Sequence, residues 1–407
     1  MRLGGKAERL SGGGDAAAPD LAGAFVEPEL VGQALAVGVL DEDQLVLAHG
    51  ASIGWGCDNF GGSGTGLAKF LFGGPATRRI RESPDSVERM TYGMTVPFDG
   101  PLAEQREWFE ELVHLGYTDA WSSEANGSDA FTPLALASQW APTLRLGCAI
   151  VPAFTRGPAL LAQTVGSLAE AAPGRFAFGV GTSSNVIVEQ WNGIPFHDPY
   201  KRVRDTVRFL RSALAGDKVD HVYDTFTVKG FRLGRKIAVQ PQILVAGLRP
   251  GMLRLAGAES DGAIINWLSA DDVSKVAPIV HEAGGGPKEI VARIFVCPNP
   301  DADVVRSAGR FAIAAYLNVP VYAEFHRWLG NGPELQGMWD AWKAGDRKAA
   351  LAAIPDAVVD RLIVHGTPDE CRAHIQRYVA NGVTTPALAV MPFGIDQRQA
   401  IRDLAPR

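Results

Sequence analysis

Residues 144–185 read LRLGCAIVPAFTRGPALLAQTVGSLAEAAPGRFAFGVGTSSN, and this stretch decides the fold. Apolar runs at Leu144–Val151 and Arg175–Val180 indicate two strands, and the amphipathic run Pro158–Ala171 between them indicates a helix. A strand, a helix and a second strand in this order predict a parallel βαβ unit. Parallel α/β folds bind ligands at the carboxyl ends of their strands. The small polar turn Gly179–Asn185 is therefore a candidate binding loop.

The composition argues against several classes of protein. Apolar residues make up 46% of the 407 residues, the formal net charge is −6, and basic residues do not cluster, so we expect no nucleic-acid binding. No apolar run approaches the roughly 20 residues that span a bilayer, and the N-terminus lacks the apolar core of a signal peptide. The cysteines Cys57, Cys148, Cys297 and Cys371 lack metal-ligand spacing, as is typical of reduced thiols. We therefore expect a cytoplasmic protein without membrane contact.

Residues 1–90 differ from the rest of the chain. They hold 17 of the 46 glycines and show no clear alternation of strand and helix patterns. Gly61–Gly66 resembles a phosphate loop at a glance, but the Lys and the Ser or Thr that must follow its last glycine are missing. We expect residues 1–90 to be a poorly ordered, Gly-rich extension and residues 91–407 to form the folded domain.

Short apolar runs alternate with amphipathic runs from residue 92 onward. Eight of them predict strands, at Tyr92–Pro97, Thr118–Ser122, Leu144–Val151, Arg175–Val180, Gln242–Ala246, Asp261–Trp267, Ile290–Cys297 and Thr385–Met391. They do not alternate apolar with polar residues, as expected for strands buried on both faces. Eight parallel strands with helical crossovers most simply close into a (β/α)8 TIM barrel, whereas the alternative doubly wound sheet lacks its GxGxxG fingerprint. We expect insertions near 216–240, as a hairpin, and near 318–366, as an active-site lid or a satellite helical cluster.

In a barrel, the active site lies on the loops that follow the strands. These loops contain no strand-end His and no Ser/His/Asp set, and their carboxylates are Asp99 and Glu124. We therefore expect no metal site, and a bound cofactor that carries the chemistry. The turn Gly179–Asn185 either brings glycine N–H groups close to a ligand or simply caps the next helix. Arg249 either clamps a phosphate or forms a surface salt bridge.

Three segments resemble luciferase-like oxidoreductases of the bacterial luciferase superfamily. GPALLAQTVGSLAEAAPGRFAFGVGTSSN, at 157–185, resembles the family's helix, Gly-Arg-Phe strand and GxG turn. WSSEANGSDAFTPLALAS, at 121–138, resembles its second strand end, and ILVAGLRPGMLRLAGAESDGAIINWL, at 243–268, resembles its fifth strand, turn, helix and Asp-Gly strand. The segments follow one another in the family's order. The branch that uses the deazaflavin coenzyme F420 is the most similar.

The resemblance implies roles for residues at the barrel mouth. Glu124 matches the acidic residue facing the deazaflavin ring and is the candidate catalytic residue, although Ala125 stands where the sugar-phosphate dehydrogenase branch has a catalytic His. Cys148–Ile150 matches a strand bulge behind the ring, which often contains a non-prolyl cis peptide. Thr182 and Ser269 replace a Glu and a Lys of that branch, which implies a substrate other than a sugar phosphate. The implied cofactor-binding residues are Cys148, Ala149, Ile150, Gly181, Thr182, Ser184, Asn185, Gly247, Arg249, Pro250 and Asn266.

Three functions are open at this point. The first is hydride transfer between coenzyme F420 and an unidentified organic substrate. The second is an FMN-dependent monooxygenase that uses oxygen and reduced flavin, and the third is a flavin- or deazaflavin-binding barrel without turnover. Each has a small molecule as its partner, and the family often forms homo-oligomers. Phe98, Trp267 and Phe393 are expected at the rim, as an apolar lid or as ordinary packing.

Overall fold

Eight parallel strands close into a barrel in the computed structural model, which describes residues 91–406. The strands of the described residues, in chain order, are β1 (Gly93–Val96), β2 (Asp119–Ser122), β3 (Arg145–Cys148), β4 (Val151–Pro152), β5 (Phe176–Gly181), β6 (Val219–Val222), β7 (Thr227–Phe231), β8 (Gln242–Ala246), β9 (Gly262–Asn266), β10 (Glu289–Cys297), β11 (Ile363–His365) and β12 (Thr385–Val390). The ring runs β1-β2-β3-β5-β8-β9-β10-β12, and β12 pairs with β1. This closure confirms the predicted TIM barrel over the doubly wound sheet. The predicted extension, residues 1–90, lies outside the described residues.

Helices follow the barrel strands and surround them. They are α1 (Arg106–His114), α2 (Thr132–Trp140), α3 (Pro158–Ala171), α4 (Pro199–Ala215), α5 (Pro250–Glu259), α6 (Ala270–Gly284), α7 (Ala302–Leu317), α8 (Pro320–Leu329), α9 (Gly332–Lys343), α10 (Arg347–Ala352), α11 (Asp356–Leu362), α12 (Pro368–Ala380) and α13 (Gln397–Asp403). Proline opens α3, α4 and α5, where its missing N–H costs nothing. Capping boxes built on Ser269 and Thr367 begin α6 and α12.

One tryptophan fills the middle of the barrel. Trp121 on β2 is 1% exposed, and both neighbouring strands carry a glycine beside it. A Cβ on Gly93 would lie 2.7 Å from the Trp121 Cδ1 atom, and a Cβ on Gly147 would lie 2.2 Å from its Cε3 atom. Apolar residues of five other strands complete this interior layer, namely Ala177, Leu244, Ile264, Val291 and Ala387. This layer fills the interior of the barrel between its two ends.

Polar side chains fill the amino-terminal end of the barrel. Arg145 donates to the two carboxylate oxygens of Glu289 at 2.6 and 2.8 Å and to Asp119 Oδ1 at 3.4 Å. Gln242 and Thr385 also donate to Glu289. Burial raises the pKa of Asp119, and the positive charge of Arg145 offsets only part of that rise. This charge-compensated plug leaves the opposite, carboxyl-terminal end as the mouth.

Two segments lie outside the regular alternation of strands and helices. In the region expected to be a hairpin, β6 and β7 form an antiparallel pair. In the region near 318–366, α8 to α11 bury their apolar faces in a second core that includes Trp267, Phe295 and Met391. These three residues lie at the carboxyl ends of barrel strands, so the helical cluster is packed on the mouth. The short strand β11, which pairs in parallel with the carboxyl end of β10, was not predicted.

Candidate active site

Glu124 lies two residues beyond β2, at the mouth of the barrel. Its backbone N–H donates to the Ile150 carbonyl at 3.1 Å, which ties it to the loop after β3. Nη1 of Arg156 donates to both carboxylate oxygens of Glu124 at 2.7 Å, and the Thr155 hydroxyl donates to Oε1 at 3.2 Å. The Glu124 and Arg156 side chains are only 14% and 19% exposed. The carboxylate is therefore a fixed, charge-compensated acceptor rather than a free base.

Residues Cys148–Ile150, which we call the shelf, interrupt the third barrel strand. Pairing stops after Cys148 and resumes at Val151, and the peptide bond between Ala149 and Ile150 is cis, the type of bond that the resemblance implies for this bulge. Ala149 and Ile150 are half-buried and pack on the interior apolar layer. Cys148 is fully buried, and burial raises the pKa of its thiol far above the usual range. The shelf therefore offers an apolar surface and no reactive thiolate.

Two glycines let β5 run close beside the shelf. A Cβ on Gly179 would lie 2.0 Å from the Cys148 carbonyl oxygen. A Cβ on Gly181 would lie 3.0 Å from Ile150 Cδ1 and 3.1 Å from the Cβ of Ala246. The Gly181 carbonyl also accepts a hydrogen bond from the Ala153 N–H at 2.9 Å. Gly179 and Gly181 thus have a packing role.

The polar end of the same turn leads into a short π-helix, Val186–Trp191. Ser184 Oγ accepts a hydrogen bond from the Ile187 N–H at 3.3 Å, so this side chain caps the helix. The half-buried Thr182 donates to the neighbouring Ser183 carbonyl at 3.1 Å. Asn185 is exposed and its side chain makes no capping bond. Of the three predicted polar ligands in this turn, Asn185 is the one most accessible to a bound molecule.

Arg249 precedes α5, in the loop that follows β8. It is exposed, and none of the ion pairs within residues 91–406 includes it, so the surface salt bridge does not occur there. Pro250 is the first residue of α5, and the Gly247 N–H donates to the Ile264 carbonyl at 3.1 Å. A Cβ on Gly247 would lie 3.0 Å from Leu253 Cδ2, so the helix packs tightly on this turn. The helix N-terminus and the arginine together suit a negatively charged group.

Asn266 ends β9 and contacts the helical cluster. Its side-chain N–H donates to the Tyr322 hydroxyl at 3.2 Å, and its Oδ1 lies 3.4 Å from the same hydroxyl. Burial raises the pKa of Tyr322 to about 12. Tyr322 belongs to α8, so a residue of the 318–366 region reaches the predicted site. Sequence reasoning missed this tyrosine because nothing in the local pattern places α8 over the mouth.

The apolar lid expected from Phe98, Trp267 and Phe393 is wrong for two of its members. Phe98 is 4% exposed and stacks on Trp108 of α1, with ring centroids 4.7 Å apart. Trp267 is 1% exposed and stacks on Phe295 at 4.0 Å in the second core. Phe393 is half-buried at the edge of that core. The rings are packed among their neighbours, which was the alternative interpretation.

Arg156 and Arg293 are further residues of the mouth to which the sequence analysis gave no role. Arg156 reaches Glu124 from 32 positions along the chain, a pairing that local pattern does not reveal. Arg293 is the one charged residue within the buried run IVARIFVC, at 290–297. A single charged residue in an apolar strand can be recognised from the sequence as a candidate functional residue. It lies on β10 beside Asn266 in the parallel register.

Metal-binding clusters and membrane-spanning helices are both absent from the described part of the chain. Within residues 91–406, no group of three or more His, Cys, Asp or Glu side chains could hold a metal ion. None of the helices in that part of the chain has the length and apolar character needed to cross a membrane. The residues at the mouth are thus mainly apolar groups, amides, hydroxyls and arginines.

The chain belongs to the luciferase-like monooxygenase family, whose family model matches residues 81–385. This assignment confirms the resemblance found in the sequence. A 5,10-methylenetetrahydromethanopterin reductase of Methanolobus tindarius is 27% identical over 324 residues, which are 77% of this chain and 98% of that protein. An F420-dependent glucose-6-phosphate dehydrogenase of Mycobacterium avium is 27% identical over 334 residues, which are 73% of this chain and 93% of that protein.

A solved structure supports the same fold. The coenzyme F420-dependent tetrahydromethanopterin reductase of Methanopyrus kandleri superimposes with a TM-score of 0.65 at 19% sequence identity. The superposition covers 78% of this chain and 97% of that protein. The barrel and its order of elements are therefore shared with that protein.

Proposed function

We propose that this protein is an oxidoreductase that transfers a hydride between coenzyme F420 and an organic substrate. The names of the three similar proteins reported above support F420 as the coenzyme. Two of these names, those of the glucose-6-phosphate dehydrogenase and of the reductase of known structure, include F420. The observation that carries the proposal is the apolar shelf at the mouth, beside a carboxylate that is already ion-paired. A mouth without a free acid or base suits a cofactor that brings its own reactive atom.

The shelf fits one face of a planar ring system. Ala149 and Ile150 offer half-buried apolar surface, and the adjoining Gly181 and Ala246 add no bulky side chain. A deazaflavin bound there supplies hydride chemistry at its C5 atom. The protein's own contribution is to hold the ring and to keep bulk water away from it.

Polar residues around the shelf would anchor the rest of the coenzyme. We assign its phosphate and acidic tail to Arg249 and the N-terminus of α5, where positive potential is available. Asn185 and Asn266 would donate amide hydrogen bonds to ring or ribityl oxygens. Gly247 and Pro250 would shape the turn that presents Arg249.

Glu124 is the candidate catalytic residue in this proposal. Because Arg156 donates to both of its oxygens, the Glu124 carboxylate is held in one place. A carboxylate held at a fixed point beside the ring would orient the ring and the substrate for hydride transfer. We expect Glu124→Gln to lower turnover by about tenfold or more while F420 affinity falls less. Equal losses in turnover and affinity would argue for a binding role instead.

Titration with two cofactors tests the proposal. Purified protein is titrated with F420 and, separately, with FMN, and intrinsic tryptophan fluorescence is recorded. Saturable binding of F420, with weaker binding of FMN, is the expected result. Tight binding of FMN alone would contradict the proposal and favour a monooxygenase, the reaction in the family's description. Binding of neither cofactor would also contradict it.

The proposal also covers the domain organisation, the cellular location and the partners of the enzyme. We propose that residues 91–407 form the catalytic domain, with the 216–240 and 318–366 regions as insertions into the barrel. We also propose a cytoplasmic enzyme whose partners are small molecules and further copies of itself, without nucleic acid. Size-exclusion chromatography with light scattering measures the assembly, and a monomer at micromolar concentration would contradict that part.

A further inference from the structure

Arg293 lies inside the barrel, where its guanidinium group needs a hydrogen-bond acceptor or a negative charge. It follows Val291 by two residues on β10, and Val291 belongs to the interior apolar layer, so both side chains face inward. Being nearer the carboxyl end, Arg293 lies on the mouth side of that layer. Its Nε is buried without any hydrogen-bond partner, and it is itself half-buried. A guanidinium in such surroundings is costly unless an acceptor meets it.

Arg293 has no carboxylate partner in the described part of the chain. None of the ion pairs within residues 91–406 includes it, and its guanidinium instead lies 5.2 Å from the Phe295 ring centroid. At the other end of the same barrel, Arg145 is neutralised by Glu289 and Asp119. At the mouth, the carboxylate of Glu124 is already neutralised by Arg156. Within residues 91–406, Arg145 and Arg156 are thus paired with carboxylates, whereas Arg293 is not.

Other polar groups accompany Arg293. Thr95 on β1 also faces inward, its hydroxyl is buried without a hydrogen-bond partner, and it lines the same small cavity as Arg293. Arg293 also acts on two tyrosines, by its positive charge and a hydrogen bond at Tyr316 and by its charge alone at Tyr322, and in both it opposes the rise in pKa that burial causes. Tyr322 in turn is hydrogen-bonded to Asn266, the register neighbour of Arg293. These side chains are donors that could surround one anionic group.

The topology places this cluster across the mouth from the shelf. β10 lies four places round the eight-stranded ring from β3 in either direction. A ring resting on the shelf would therefore have Arg293 on the opposite wall, with the substrate between them. The proposed anchor for the coenzyme tail, Arg249, follows β8 and lies elsewhere on the rim.

We propose that Arg293, with Thr95 and Tyr322, binds an oxyanion of the substrate, so that this enzyme acts on an organic carboxylate or phosphate. The inference deepens the proposed function and rests on it for the identity of the second ligand. Arginine suits this task because its planar fork bonds two oxygens of a carboxylate or phosphate at once. The substrate thereby supplies the negative charge that no carboxylate of the described residues provides to Arg293.

Calorimetry on the F420-saturated full-length protein tests the inference. The probes are propionate, inorganic phosphate and propionamide, which matches propionate in size without its charge. Propionate or phosphate should bind saturably and propionamide should not, and whichever anion binds more tightly identifies the substrate class. Arg293→Gln should weaken oxyanion binding by about ten- to one-hundredfold, and Arg293→Lys by less. Arg254→Gln, an exposed arginine on α5, is the matched control and should change nothing.

Several results would overturn the inference. They are the absence of binding by both oxyanions, equal binding of propionamide, or unchanged oxyanion binding in Arg293→Gln. A fall in F420 affinity in Arg293→Gln that matches its loss of oxyanion binding would assign the arginine to the coenzyme tail instead. If the wild-type protein binds no F420, the proposed function fails, and the same titrations without F420 still test the oxyanion site. Circular dichroism checks that each variant is folded.

Discussion

His326 gives a quantitative test of how the helical cluster is packed on the barrel. The side chain is 0% exposed within α8. Its Nε2–H donates to the Trp267 carbonyl at 2.9 Å, and the Asn331 side chain donates to its Nδ1 at 3.3 Å. Burial lowers the pKa of His326 to about 4, and the bond to Trp267 opposes only part of this effect. The imidazole is therefore neutral in the folded protein near neutral pH.

This low pKa makes stability depend on pH in a defined direction. In the unfolded chain a histidine has a pKa of about 6.5, so as the pH falls the unfolded state is protonated first. The contribution of His326 to the free energy of unfolding is complete above about pH 6.5 and is lost as the pH falls towards about 4. With about 1.4 kcal/mol for each unit of pKa difference, the loss between about pH 7.5 and about pH 5 is about 2 kcal/mol.

Urea unfolding followed by tryptophan fluorescence measures this loss. The His326→Gln variant keeps an N–H donor for the Trp267 carbonyl, but its glutamine does not titrate. Between about pH 7.5 and about pH 5, the free energy of unfolding of this variant should therefore fall by about 2 kcal/mol less than that of the wild type. The exposed His114 of α1 offers a matched control, since His114→Gln should keep the wild-type pH dependence. A difference below about 0.5 kcal/mol between wild type and His326→Gln would refute the burial of a neutral imidazole at this site.

Three further perturbations test the barrel itself. Gly179→Ala puts a Cβ 2.0 Å from a backbone oxygen and should lower the free energy of unfolding by about 1–3 kcal/mol, whereas Gly157→Ala, which meets open space, should be nearly neutral in the same urea assay. Arg145→Met leaves the buried Asp119 and Glu289 without their cation and should cost about 3–5 kcal/mol; a loss below about 1 kcal/mol would contradict the role of the plug. A protein that begins at residue 91 should keep the F420 affinity of the full chain, and a loss of folding would show that residues 1–90 contribute to the domain.

The fold could be predicted because its strands are short and buried on both faces. Such strands appear as separate apolar runs, and the run Gln242–Ala246 was predicted with the bounds that the structure shows. Helix α3 also has its predicted bounds, Pro158–Ala171, since glycine and proline mark its start. The strand β11 was missed because three residues, Ile363–His365, are too few to show any period within a long helical region.

The site was less predictable because its contacts join distant parts of the chain. The run Leu144–Val151 reads as one strand, and only the three-dimensional structure shows the break at the shelf. Phe98 follows a barrel strand, but its ring points outward and stacks on Trp108 of α1. The sequence did not predict this because the apolar pattern does not set the direction of a side chain beyond the end of a strand. The pairing of Glu124 with Arg156 likewise depends on how two loops meet. Residue type and strand-end position therefore identified candidates, but not their partners.

The two inward arginines show why partners decide function. Arg145 and Arg293 both interrupt apolar strands, and by sequence alone the same interpretation would apply to both. In the folded barrel, Arg145 meets two carboxylates and closes the amino-terminal end, whereas Arg293 meets none in the described residues and faces the mouth. Since a buried charge is stabilised by a counter-charge, the first arginine is structural, and the second is the one that we assign to a ligand. Glu124 does not supply that counter-charge because Arg156 already holds it, so a negative group must arrive with the substrate.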